Sequence, residues 1–367
     1  MRWELHAHYS RWSEAQVTQV AHDRNLNPAT RSQLLAALTG GPLQELARSE
    51  HKVLISSEAF ATQVIGRGLA AAHELGLEGP GPEALSALIP YSLLVRLRFT
   101  LRKPYISKDD EVFSVVENAV RKERVFRLPM VGATAWKGSL RSAAIADFCR
   151  WCRKGAPEVT QATALVRRAQ LVRLFGNEKE QTENFLNRVL AKATGAEEED
   201  VAQRFQRYLE QIGYVAKRVE GRQGRLFFFP TFLDKVGLEV INPHSRTRRV
   251  GKNPIVMECA RKGASGRFHL LYVPFDRVGE EERQTAEEAG TDIETVAKSL
   301  RDMFTELGFG AKTSSGYGVA ETAVADGFLH GRTAAGQLDQ PYVSFETISQ
   351  AARQLAVSLR EAGGARQ

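Results

Sequence analysis

The chain has 367 residues, 43% of them hydrophobic and 25% charged, and a net charge of +7. These values are typical of a soluble globular protein with two domains, or with one domain that carries large insertions. No apolar run approaches membrane-spanning length, and three cysteines exclude a disulfide framework. The start, MRWELHAHYS, lacks the apolar core of a signal peptide, so we expect a cytoplasmic protein.

Residues 1–90 are predicted to form a helical N-terminal region. A break with a helix start lies at 26–30, LNPAT, and a second break lies at 40–42, GGP. A further helix is predicted over 57–75. The sequence GPGP at 79–82 marks the boundary with the rest of the chain.

Strands are predicted at 91–101 and in four later segments. In the first, YSLLVRLRFTL, the alternation places Val95, Leu97 and Phe99 on one buried face. Breaks between the last three segments favour hairpins or a meander. The four later segments are 224–233, 237–244, 254–263 and 266–275. A further strand-like stretch, VAETAVADGF at 319–328, comes near the end of the chain.

Helices are predicted between and after these strands, at 158–214, at 282–307 and close to the end of the chain. Another begins after Thr134 in LPMVGATAWKGSLR, so Lys137 lies in its first turn. A positive charge there opposes the helix dipole, and a bound phosphate would reverse that cost. The alternative is a solvated lysine without a partner. The order of elements predicts an α+β layer fold.

The segment GFGAKTSSGYG, residues 308–318 and here called the glycine loop, follows the 282–307 helix. Glycine permits positive φ and close approach, and lysine with free N–H groups suits a phosphate, so the loop is predicted to cradle an anion. It is not a Walker motif, because Ala311 separates Gly310 from Lys312 and a helix precedes the loop. The alternative is a glycine-rich turn that only reverses the chain.

The positive charge is concentrated in residues 215–263, which carry eleven Lys/Arg and four Asp/Glu. Such a stretch indicates a polyanion partner, or else a solvated basic face.

Cys149 and Cys152 form a CxxC on a predicted helix. No second CxxC or HxxxH completes a metal set, so these thiols are interpreted as packing residues. His269, inside an apolar strand, is predicted to lie in the core.

Three motifs in order resemble the RAMP superfamily of CRISPR proteins over residues 91–328. LPMVGATAWKGSLR resembles that family's "φPGSSLKGALR" segment, RLFGNEKE at 173–180 resembles its "LFG" segment, and the glycine loop resembles its C-terminal glycine-rich loop. The segment containing Asn-Pro-His at 242–244 resembles the "D-x-x-x-PH-Y… P-x-x-F" region of the terminal, sixth-series RAMP subunit of Cmr-type, type III-B complexes. Glu239 is the acid nearest to that family's aspartate, and Ser245 replaces its tyrosine.

The resemblance implies a ferredoxin-like, RNA-recognition-type core at 91–330, with the helical region 1–90 before it and a C-terminal helix at 331–367 after it. It implies an RNA-binding subunit of an antiviral ribonucleoprotein that holds guide RNA, supports target RNA binding and contacts other RAMP subunits, without a cofactor or metal. The expected RNA-binding residues are Lys137, Ser139, Arg141, His244, Arg246, Arg248, Arg249, Gly310, Lys312, Thr313, Ser314, Ser315 and Gly316.

Catalysis is the open question. RAMP subunits that cleave target RNA carry an aspartate in the loop after the first strand, where this chain has Glu117 or Asn118, with Asp109 and Asp110 earlier in the loop. We therefore expect a non-catalytic subunit without catalytic residues. The alternative is a RAMP-family endoribonuclease that processes guide RNA or cleaves target RNA, with His244 as an acid or base. A weaker third interpretation is a nucleotide-binding regulator.

Overall fold

The structure is a computed structural model. It describes residues 11–38, 42–109, 116, 118–153, 160–177, 180–214, 222–242 and 254–364. The elements below are numbered within these residues.

The N-terminal region is helical, as predicted. Ser13 caps the first helix in a reciprocal capping box with Gln16. Asn27 caps the second, in which Pro28 occupies the first turn, so the break predicted at 26–30 is a helix start. The elements are α1 (Glu14–His22), α2 (Pro28–Ala36), α3 (Gln44–Ile55), α4 (Glu58–Phe60), a π-helical turn (Ala61–Gly66), α5 (Arg67–Glu74) and a 3₁₀ turn (Pro82–Ala87).

A five-stranded antiparallel sheet forms the centre of the molecule. Its order is β3-β7-β1-β8-β9, with β1 in the middle. Val95, Leu97 and Phe99 of β1 are buried and Arg98 is exposed, which confirms the predicted alternation. The strands are β1 (Leu93–Thr100), β3 (Leu226–Phe228), β7 (Ser265–Tyr272), β8 (Ala323–Arg332) and β9 (Gln337–Ser344).

Two shorter strand pairs lie outside this sheet. β2 (Met130–Val131) pairs with β4 (Thr231–Phe232), and β5 (Gly237–Ile241) forms a hairpin with β6 (Ile255–Cys259). The predicted hairpin is thus confirmed for β5 and β6. The single strand predicted at 224–233 is instead divided between two sheets, since β3 pairs with β7 and β4 with β2.

Helices follow the strands in the order that the sequence predicts. They are α6 (Ala133–Arg153), α7 (Gln161–Phe175), α8 (Glu180–Thr194), α9 (Glu198–Gln211), α10 (Glu282–Asp302), which continues as a π-helical turn (Met303–Leu307), and α11 (Ile348–Gly364). The succession β1-α6-β3-β7-α10-β8 is a βαββαβ unit, the ferredoxin-like arrangement that was expected.

The main core lies between the sheet and the helices α6 and α10. Trp136 of α6 contacts Phe99 of β1, Phe268 of β7 and Phe304, at ring-centroid distances of 6.0, 5.0 and 5.4 Å. His269 is buried, as predicted.

Strand β9 was not predicted. It lies in the segment 331–367 that was assigned to a C-terminal helix, and as an edge strand with exposed side chains it lacks the apolar run of a buried strand.

Candidate nucleic-acid interface

The glycine loop folds back on the end of β1. The Phe309 N–H donates to Gly318 O at 2.9 Å, and the Gly318 N–H donates to Pro104 O at 2.8 Å. The Ala311 N–H donates to Ile106 O at 2.7 Å. The loop is therefore held against residues 104–107, which continue from β1.

Three of the four glycines are required by this internal packing. A Cβ on Gly318 would lie 1.9 Å from Phe309 O, one on Gly308 2.6 Å from Tyr317 O, and one on Gly310 2.5 Å from the Tyr105 ring. All three have positive φ. Gly316 also has positive φ, but a Cβ there meets nothing within 4 Å. Gly310 is therefore required by contact with Tyr105 within the protein, as the turn interpretation of the loop predicts. That the tip of the loop holds an anion stays a prediction.

The tip of the loop faces solvent. Lys312, Ser314, Ser315 and Gly316 are exposed, and Thr313 is half-buried. Lys312 has a left-handed backbone conformation, with φ of 58°, at the start of a 3₁₀ turn (Thr313–Ser315). Among the described residues, no carboxylate lies within ion-pair distance of the Lys312 ammonium group. The tip thus offers a cation and three hydroxyl groups to solvent.

The start of α6 lies beside the glycine loop. Trp136 packs against Phe309 of the loop, with ring centroids 4.6 Å apart. Lys137 follows Trp136 and is half-buried. Burial, and then the positive charge of Arg141, lower the pKa of Lys137. An anion bound here would offset both effects.

Arg141 and Ser139 complete the predicted set on α6. The Arg141 guanidinium donates to Asn177 O at 3.2 Å, which ties it to the end of the RLFG segment, and Ser139 is half-buried. Lys137 and Arg141 lie one helical turn apart on α6. That both face the same strand of RNA as Lys312 stays a prediction.

One cation of this surface was missed by sequence reasoning. Arg121 is exposed, and its guanidinium carbon would lie 3.6 Å from a Cβ on Gly132, just before α6. The Arg121 N–H donates to Ser107 Oγ at 2.9 Å, next to the segment that holds the glycine loop. The signal in the sequence was the run RKER at 121–124, between the strand predicted at 91–101 and the helix predicted after Thr134.

The β5–β6 hairpin also packs against the glycine loop. The Tyr317 hydroxyl donates a hydrogen bond to Glu239 Oε1 of β5 at 3.0 Å. Burial, and then Glu239, raise the pKa of Tyr317. Ile241, at the end of β5, packs in a small apolar cluster with Ala311. The predicted residues His244, Arg246, Arg248 and Arg249 lie outside the described residues, between β5 and β6.

The basic stretch 215–263 is only partly available to a polyanion. Arg225 is fully buried and its Nε donates to Asp276 at 2.6 Å, and Arg222 pairs with the same carboxylate. The Lys235 ammonium donates to Gly263 O at 2.7 Å. These three cations therefore serve internal contacts, because burial of a charge requires a partner.

The RLFG motif also has an internal role. Arg173 makes two hydrogen bonds to Asp292 of α10, at 2.6 and 2.8 Å, and Asp292 is fully buried. A Cβ on Gly176 would lie 2.6 Å from Arg222 O. The motif thus joins α7 to α10 and to the chain before β3.

The acids considered for catalysis have different positions. Asp109 accepts a hydrogen bond from the Lys122 N–H at 3.1 Å and so links two parts of the chain between β1 and β2. The Asn118 carbonyl accepts the Glu258 N–H at 2.9 Å. Asp110 and Glu117 lie outside the described residues. Within the part of the chain that the structure describes, no three His, Cys, Asp or Glu side chains are grouped so as to hold a metal ion.

Cys149 and Cys152 are buried in the main core, where the sequence placed them. Burial raises the pKa of both thiols, that of Cys152 to about 11. Neutral thiols are poor metal ligands and nucleophiles, so the surroundings of Cys149 and Cys152 suit a role in packing the core.

None of the helices in the described residues has the length and apolar content that a membrane crossing requires.

A family model described as the RAMP superfamily matches residues 64–321. The chain belongs to the RAMP superfamily. The match begins inside the helical N-terminal region, whereas the motif resemblance begins at residue 91. The RAMP match and the βαββαβ order of the sheet agree on the fold class.

Solved RAMP-like structures are distant from this chain. A chain in a cryo-EM structure of type III-B Cmr-beta bound to cognate target RNA is 14% identical, with a TM-score of 0.47, and covers 88% of this chain and 100% of its own. A chain of a CRISPR RNA-guided surveillance complex, pre-nicking, is 13% identical (TM-score 0.34; 74% and 89% covered). A chain of the Csm3–Csm4 subcomplex of the type III-A interference complex is 8% identical (0.33; 72% and 95%). No curated protein sequence matches the chain significantly.

Proposed function

We propose that this RAMP protein is a non-catalytic RNA-binding subunit of a cytoplasmic type III CRISPR ribonucleoprotein effector, of the type III-B kind, in antiviral defence. It holds guide RNA, supports target RNA binding and contacts other RAMP subunits. The observation that carries the proposal is the junction of the exposed glycine-loop tip with the start of α6, through the Trp136–Phe309 contact. The contact joins two family motifs, one containing Lys137 and the other Lys312, and so supports a shared RNA-binding region.

The chemistry of this region suits a phosphate backbone. Lys312 and Arg121 are exposed, and no carboxylate in the described residues pairs with either. Lysine and arginine bind phosphates mainly through charge, so affinity is expected to depend on salt and little on sequence. Arg246, Arg248 and Arg249, which follow the Asn-Pro-His segment, are proposed to extend the contact along the RNA backbone.

The test is a titration of the protein with a repeat-containing guide RNA and with an unrelated RNA at several salt concentrations. Lys312→Ala should weaken both complexes and lower the slope of log affinity against log salt by about one, because one phosphate contact is lost. Lys192→Ala, which removes an exposed lysine on α8, is the matched control and should change neither quantity. An unchanged affinity and slope for Lys312→Ala would exclude the glycine loop as a contact.

The endoribonuclease is the second candidate. It is distinguished by incubating the parent protein with repeat RNA and with target RNA, with and without divalent metal. We expect intact RNA. Cleavage that disappears in His244→Ala would replace the non-catalytic proposal with the enzymatic one.

A further inference from the structure

The sheet has a second face, on the side opposite the aromatic core. Arg96 of β1 pairs with His269 of β7 and with Phe328 of β8, and Phe328 pairs with Pro341 of β9. Directly paired residues point to the same side of an antiparallel sheet, and Val95 and its alternate neighbours point to the core. Arg96, Phe328 and Pro341 therefore form a row across the second face.

The N-terminal region covers one side of this face. A Cβ on Gly79 would lie 2.9 Å from His269, and Glu78 accepts a hydrogen bond from Arg267 at 3.0 Å. These contacts close the face over β7. Over β8 and β9 the described residues leave this face partly open, with Phe328 37% exposed and Val343 71% exposed.

The ring of Phe328 has a defined orientation. It stacks nearly parallel on His330, with centroids 5.4 Å apart and an angle of 11° between the planes. His330 is itself held by Asp339, with Nδ1 2.7 Å from Oδ1. One face of the Phe328 ring is thus occupied by the imidazole. Among the described residues, no other ring contacts Phe328.

Two arginines of β1 lie on the same sheet face as this ring: Arg96, the cross-strand partner of Phe328, and Arg98, two residues further along the strand. Arg96 is half-buried and has no ion-pair partner in the described residues, and the Arg98 side chain is 49% exposed with Asp234 4.0 Å away. An aromatic face beside arginines is the combination that proteins use to stack unpaired bases and bind the adjoining phosphates.

We propose that this second sheet face binds a segment of single-stranded RNA, with a base stacked on Phe328 and the backbone on Arg96 and Arg98. The inference rests on the proposed function for the identity of the ligand, but it concerns a separate surface. Leu101, just after β1, pairs with Ala320, just after the glycine loop. RNA that follows β1 past Arg98 would therefore approach the glycine loop at the end of that strand.

The first test needs no substitution. A short oligouridine with one 5-iodouridine is bound to the full-length protein and irradiated, and the cross-linked peptide is identified by mass spectrometry. Because the halogenated base couples to a stacked aromatic ring, we expect a cross-link at Phe328. The absence of any cross-link on β8 from a bound oligonucleotide would overturn the proposal.

The second test uses substitutions of the same exposed ring. Phe328→Ala and Phe328→Leu should weaken oligouridine binding roughly 5- to 150-fold, the range for one stacked base, and Phe328→Tyr should bind like the parent. Phe185→Ala removes a ring that is 40% exposed on α8 and is the matched control. Full affinity in Phe328→Leu with a loss in Phe328→Ala would show an apolar contact rather than stacking, and would favour a protein partner.

The two proposals fail differently. Oligouridine binding that responds to Lys312→Ala but not to Phe328→Ala would overturn the sheet-face site and leave the proposed function intact. A parent protein that binds neither oligouridine nor guide RNA would overturn both.

Discussion

Gly318 closes the glycine loop, because its carbonyl accepts a hydrogen bond from the Phe309 N–H at 2.9 Å. A side chain there would meet Phe309 O at 1.9 Å, and the φ of 68° is unfavourable for any other residue. Gly316 has a similar φ of 83° but open space around it. Substitutions at these two glycines therefore distinguish the cost of a positive φ, present at both, from the cost of a steric clash, present only at Gly318.

We predict that Gly316→Ala costs about 1–2 kcal/mol of unfolding free energy, the cost of a left-handed residue. Gly318→Ala should cost clearly more, because the loop must open to admit the methyl group. Urea denaturation of both variants measures the difference. Equal losses would mean that the Phe309–Gly318 contact contributes little to stability.

At the level of elements, the N-terminal region packs against the sheet of the RAMP core. Leu35, Ile65 and Ala72 belong to the same buried cluster as the sheet residues. Glu78 and Gly79 lie against β7, and Arg332 at the end of β8 donates to Leu85 O at 2.9 Å. A core of residues 91–330 alone would expose the apolar side of these contacts.

Removal of residues 1–88 is therefore predicted to give an insoluble or non-cooperatively unfolding protein. The deleted segment, supplied as a separate chain during expression, should restore soluble protein if the contacts suffice. The solubility and thermal unfolding of the truncated chain, expressed alone and together with the separate segment, test this prediction. A soluble truncated chain with a sharp unfolding transition would identify the region as a docking element instead.

For the molecule as a whole, burial of two histidines links stability to pH. Burial lowers the pKa of His51 on α3 from 6.5 to about 4, and burial followed by the charge of Arg96 lowers that of His269 to about 4. The unfolded chain then binds more protons than the folded chain between these values. The contribution of the two neutral histidines to the free energy of unfolding is fully present above about pH 6.5 and is lost as the pH falls toward 4.

Each histidine should lower the unfolding free energy by about 2 kcal/mol at pH 5 relative to pH 7. Although burial opposes the shift, hydrogen bonds and positive charge from Arg225 and Arg277 lower the pKa values of Asp276 and Glu288 below their ordinary ranges, so their stabilising contribution is lost only at lower pH. Urea unfolding at both pH values, in the parent and in His51→Gln and His269→Gln, measures the effect. An equal pH dependence in all three proteins would refute this origin.

The local sequence was sufficient to predict the elements that hold the site. The alternation of β1, the helix that contains Lys137 and the position of the glycine loop follow from backbone periodicity and residue type, which act over a few neighbouring residues. The order of the motifs predicted the superfamily for the same reason, since each motif is a continuous segment.

Contacts between distant segments were not predictable in this way. The approach of Trp136 to Phe309, the placing of Arg121 beside Gly132 and the pairing of Arg96 with Phe328 join residues that are far apart in the sequence or lie on separate elements. Such pairs are selected by strand register and by packing across the core, and no local pattern records them. The tertiary structure alone therefore shows which cations are internal, as Arg225 is, and which face solvent, as Lys312 does.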